Sequence, residues 1–144
     1  MRLKKAQTAL FLLFCFGLIA CGKKGDPFVP VKEPLNHVTD LEGMWDGESI
    51  VLTGRIQGAM KEGTIIRAYY AMYPPDQIPC EGCPIEYEGF QPFGREVVSE
   101  NRFLCRIREI KPGNIYFFEI KVIGSGGGQG PPSKRVRVEV PAFR

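Results

Sequence analysis

The chain has 144 residues, with 19 basic and 16 acidic side chains and a formal net charge of +3. Arg2, Lys4 and Lys5 supply three of the basic residues and the first 20 positions hold no acid, so the remainder carries 19 − 3 = 16 basic against 16 acidic groups. A neutral chain without a basic stripe excludes nucleic acid as an expected partner. A length of this order is that of one domain.

The N-terminus comes first. A basic stub is followed by an apolar run from Ala9 to Ala20, then by Cys21 and a polar segment. A basic head, a short apolar centre and a small residue before the break are the parts of a secretory signal peptide. Spanning a bilayer takes about 20 apolar residues, and this run has 12. The expectation is a leader over residues 1–20 that is removed, Cys15 leaving with it.

Leu18-Ile19-Ala20-Cys21 resembles the bacterial lipobox. In such a motif the thiol becomes a thioether to diacylglycerol, and the small residue before it fits the peptidase that cuts there. The resemblance implies lipidation of Cys21 and a protein anchored to the bilayer by acyl chains. Gly22, where Asp would favour retention in the inner membrane, points to the outer membrane, facing the periplasm or the cell surface. Residues 21–36 read as a stiff tether containing Pro27, Pro30 and Pro34. Its start, Cys21-Gly22-Lys23-Lys24-Gly25, is also similar to the C-G-x-K-G-P opening of small lipoproteins of lipopolysaccharide export, interrupted by Asp26.

Residues 37–144 read as strands throughout, with no sustained helical period. Segments 38–45 and 48–56 flank Asp46-Gly47, a hairpin signal. Residues 64–73 are rich in β-branched and aromatic side chains. Residues 102–108, 114–123 and 133–140 alternate apolar with polar positions. Five or six strands with one polar face each predict an all-β fold, a single antiparallel sandwich.

The stretch Ile110-Lys111-Pro112-Gly113-Asn114-Ile115-Tyr116, followed by an alternating strand and a Gly-rich loop over 124–132, resembles the fibronectin type III domain. The resemblance implies an immunoglobulin-like sandwich in which the Tyr116 hydroxyl bonds to backbone a few residues upstream. The family's core Trp is absent, its place taken by Gly54, and Trp45 is expected to fill the gap.

Cys80-Glu81-Gly82-Cys83 lies in a long connection, 74–94, between Pro79 and Pro84. In an exported domain the first reading is a disulfide bracing the loop. A zinc site would need Cys105 and His37 as further ligands, and thiol–disulfide exchange would need a helix after the motif. No metal and no cofactor are expected. Cys105, turned inward on its strand, is expected to stay unpaired. His37 is the only histidine and no nucleophile motif occurs, so the expected function is non-enzymatic. It is that of a lipid-anchored binding or structural module in the cell envelope, meeting an envelope protein through its loops. Tyr87, Phe90 and Phe93 are the candidate anchors, in a surface combining 74–94 with 124–132; the same aromatics can instead form a satellite core.

Overall fold

Period-two alternation sends every other side chain to one face, and residues 36–142, those the computed structural model describes, use it to build eight strands. The leader, Cys21 and the tether as far as residue 35 lie outside the described residues. The strands are β1 (His37–Trp45), β2 (Ile50–Gln57), β3 (Ile65–Tyr73), β4 (Gly89–Phe93), β5 (Val98–Ser99), β6 (Arg102–Ile107), β7 (Ile115–Ile123) and β8 (Val136–Glu139). They pair antiparallel in two four-stranded sheets, β1-β2-β6-β5 and β4-β3-β7-β8. The fold is an all-β sandwich.

The core lies between the sheets. Ile50, Leu52, Ile56, Phe103, Cys105 and Ile107 come from the first, and Ile66, Ala68, Phe118, Ile120, Val122 and Val138 from the second. β6 shows the alternation most plainly, with Phe103, Cys105 and Ile107 buried and the residues between them exposed. Each fully buried side chain of this size contributes about 1.5–3 kcal/mol relative to exposure.

One strand falls where a connection was expected, and another in a segment that was given no element. β4 lies inside the 74–94 segment, and β5 follows a single 3-10 turn, Arg95–Val97. Gly89 and Pro92 give β4 the composition of a loop. Pro92 is tolerated because β4 is a sheet edge, where a missing N–H costs no ladder bond.

The β1–β2 turn sits one residue later than the Asp46-Gly47 signal implied. Asp46 N–H donates to the Ser49 carbonyl at 3.1 Å, so Gly47 and Glu48 are the central pair, Gly47 with φ +101°. Asp46 acts instead as a local cap: its carboxylate accepts from the amides of Ser49 at 2.7 Å and Glu48 at 3.0 Å, and from the Arg106 guanidinium. The Ser49 amide, then that of Glu48, holds the Asp46 carboxyl well below the usual range. A carboxyl depressed by folding stabilises at neutral pH, and that support fades as pH falls below the ordinary carboxylate range.

Trp45 does not fill the space over Gly54. It pairs with Ile50 at the end of β1 and packs at the margin of the core. Gly54 pairs with Phe103 of β6, and a Cβ on Gly54 would stand 2.7 Å from that ring. The neighbouring strand's phenyl group lies across the glycine and closes the gap.

Tyr116 is buried, and its hydroxyl accepts a hydrogen bond from the Lys111 amide at 2.6 Å, five residues upstream. Burial pushes the phenol pKa up. Tyr116→Phe leaves that amide without its acceptor and is expected to cost about 1–3 kcal/mol. Thermal unfolding checks this, at roughly 4–8 °C per kcal/mol for a domain of this size. An unchanged melting temperature would show that the bond contributes nothing.

Candidate binding face

The second sheet has an outer face that is not simply polar. Its register aligns Phe90, Tyr69 and Glu119 in one cross-strand row and Pro92, Arg67 and Lys121 in the next. Directly opposed and diagonal residues on one sheet face are within reach of each other. Here they interlock: the Arg67 guanidinium lies 4.6 Å from the Phe90 ring centroid, and the Lys121 ammonium 4.9 Å from that of Tyr69. The Tyr69 and Phe90 rings are 5.4 Å apart and tilted. Cation–π contacts of this kind contribute about 0.5–1 kcal/mol at exposed sites.

The 74–88 connection folds back over this face. The Glu88 amide donates to the Tyr70 carbonyl at 2.9 Å, and the Met72 amide to the Glu88 carboxylate at 3.2 Å. Tyr87 lies edge-on to Tyr69 at 6.1 Å and donates its hydroxyl to Glu119 at 3.0 Å. Burial, opposed by a bond from Arg135, raises the Tyr87 pKa. Ala71, Ile115 and Phe117 point away from the core and are nonetheless buried, with Phe117 edge-on to Tyr73 at 5.9 Å between ring centroids.

Cys80 and Cys83 are joined by a disulfide, with Cα atoms 5.3 Å apart. The Cys83 amide closes a turn on the Cys80 carbonyl at 3.0 Å, with Gly82 at φ +81°. Arg135 reaches the Cys83 carbonyl at 3.1 Å and ties the loop to the segment entering β8. Among the described residues, no α-helix follows Cys83.

Of the three aromatic candidates, Tyr87 and Phe90 meet on the outer face around Tyr69. Phe93 lies on the opposite face of β4, packed against the core. Phe90 is the exposed member, at 46%. The 74–94 and 124–132 segments do not leave the sheet together: Tyr73 pairs with Ile115 and Ile65 with Ile123, so they start from opposite ends. Arg67, Tyr69, Glu119, Lys121 and Arg135 were not among the sequence candidates. The signal for the first four was present as aromatic and charged residues at the outward positions of β3 and β7.

Cys105 is buried and unpaired, and burial pushes its thiol up to about 12. Among the thiols of the sandwich, a blocking reagent should therefore reach Cys105 only after denaturation, and Cys80 and Cys83 only after reduction. Peptide mapping checks this, and labelling of Cys83 without reductant would contradict the bridge. Among the described residues, no three His, Cys, Asp or Glu side chains cluster as a metal site.

No known protein-family model matches this chain, and no curated protein matches it in sequence.

Proposed function

We propose that the chain is an exported lipoprotein, held by acylated Cys21, whose sandwich is a non-enzymatic binding module of the cell envelope. Its place is the outer membrane, facing the periplasm or the cell surface. The N-terminal pattern of basic stub, short apolar run and Leu18-Ile19-Ala20-Cys21 supports the anchor. The Cys80–Cys83 bridge fits an oxidising compartment. The strand order and the Tyr116 bond support kinship with fibronectin type III domains.

The observation that carries the binding role is the partly exposed lattice of Arg67, Tyr69, Phe90 and Lys121, topped by a braced loop. A rigid sheet holds these groups in register, so little ordering entropy is lost when a partner docks. Aromatic and Arg side chains are the residue types that dominate binding energy. The Cys21-Gly22-Lys23-Lys24-Gly25 start favours a second reading, an accessory role in lipopolysaccharide or outer-membrane assembly.

Crosslinking in native membranes tests the proposal. The parent should yield an adduct with an envelope protein, and Phe90→Ser combined with Lys121→Glu should diminish it. No adduct, or one indifferent to these changes, contradicts a docking role for this face. An adduct with a lipopolysaccharide transport component selects the second reading.

A further inference from the structure

On the outer face of the second sheet two cations stand directly opposite one another. Arg67 of β3 is in register with Lys121 of β7, in a row whose third member is Pro92. Like charges directly opposed across strands cost stability, and these three residues include no acid. The carboxylate of the next row, Glu119, is already engaged: it accepts from the Tyr87 hydroxyl at 3.0 Å and pairs with Lys121 at 3.7 Å. Arg67 forms no ion pair among the described residues, and its Nε is buried without a hydrogen-bond partner. Its positive charge is unanswered within the sandwich.

The surroundings restrict what can answer it. The Arg67 guanidinium lies over the Phe90 ring, and a planar fork held in that way suits a carboxylate or phosphate oxygen pair. The Lys121 side chain is 27% exposed, so an anion that reaches Arg67 can meet a second cation. Phe90 and Tyr69 occupy the adjoining row, and Phe90 is the more exposed of the two. A ligand that covers both rows must therefore carry apolar surface beside its negative charge. Same-face positions along a strand are about 6.5–7 Å apart, and an extended peptide repeats that spacing.

We propose that this face takes an extended, acidic protein segment. A carboxylate of the segment meets Arg67 and Lys121, and an aromatic or aliphatic side chain two residues away packs on Phe90 and Tyr69. The inference rests on the binding role proposed above and adds the chemistry of the partner. A phosphate group alone would satisfy the charge and leave Phe90 uncovered. Contacts of this mixed kind, an Arg beside aromatic rings, dominate the binding energy of protein interfaces.

Capped peptides titrated into the purified full chain in detergent micelles, followed by amide NMR shifts, give the test. The probes are Thr-Glu-Thr-Phe-Thr, the same peptide with Gln for Glu, and inorganic phosphate. The Glu peptide should shift the amides around Arg67, Tyr69 and Lys121, and should bind at least about fivefold more tightly than the Gln peptide. Phosphate, which carries charge alone, should bind more weakly than the Glu peptide. Arg67→Gln, and independently Lys121→Gln, should erase the preference for Glu over Gln, with amide shifts elsewhere in the sandwich matching the parent's. Absence of binding, equal binding of the two peptides, a preference that survives both substitutions, or tighter binding of phosphate would each overturn the proposal. Equal binding of the peptides beside an envelope adduct that Phe90→Ser with Lys121→Glu diminishes would reject the acidic partner and leave the docking role standing.

Discussion

Phe103→Ala is expected to lower the unfolding free energy by about 3–5 kcal/mol, the usual range for emptying a phenyl group's place in a core. Phe103 is 2% exposed and lies across Gly54, where the facing strand offers no side chain to close over the void. Relaxation would have to come from Val38, whose Cγ1 is among the nearest atoms to that glycine's missing Cβ. Typical domains have about 5–15 kcal/mol in total, so the variant should unfold at markedly lower urea concentration. The complementary change, Gly54→Ala, places a methyl group 2.7 Å from the ring and is expected to cost about 1–3 kcal/mol through overpacking. Urea unfolding of both variants checks the pair. A loss under about 1 kcal/mol for Phe103→Ala would mean that the ring does not fill the gap.

That pair of residues also shows where sequence reading stops. Alternation in 102–108 identifies Phe103, Cys105 and Ile107 as one face, and burial follows it residue by residue. It does not say which neighbour faces Gly54, because that depends on register between residues 49 positions apart. A nearby Trp45 was the natural guess from local sequence, and the long-range pairing with Phe103 supplied the filler instead. In the same way, Phe117 sits at an outward position that alternation marks as solvent-facing. It is buried nonetheless, with the Tyr73 ring edge-on to it at 5.9 Å.

The candidate face was legible in part. Tyr87 and Phe90 stood out as aromatics in a Pro-rich stretch. Their partners Arg67, Tyr69, Glu119 and Lys121 were hidden in plain alternation, since a strand's outward residues look alike until the register aligns them. β4 was masked by Gly89 and Pro92, residues that argue against a strand except at an edge. The bond from the Lys111 amide to Tyr116, by contrast, joins residues five apart and was readable from the local motif.

Cys21→Ser is expected to have the largest effect on where the protein resides. On the proposed reading the thiol is the nucleophile that takes up diacylglycerol, and serine does not replace it in that reaction. One acyl chain holds a protein only marginally, whereas two or more hold it stably. Without them the remaining hydrophobic element is the apolar run from Ala9 to Ala20, 12 residues long against about 20 for a bilayer span. The variant should leave the outer-membrane fraction, either released or held back unprocessed. Fractionation and immunoblotting check this. A variant that stays in the outer membrane as fully as the parent would remove Cys21 from the account.

Intact-mass spectrometry of the protein extracted from its native membrane tests the proposed lipid anchor on a processed chain. Expected is a chain of residues 21–144 carrying the added mass of a diacylglycerol thioether on Cys21, with or without a further acyl group on the new N-terminus. A mass equal to unmodified residues 1–144, or to a cleaved chain with Cys21 free of lipid, would contradict it.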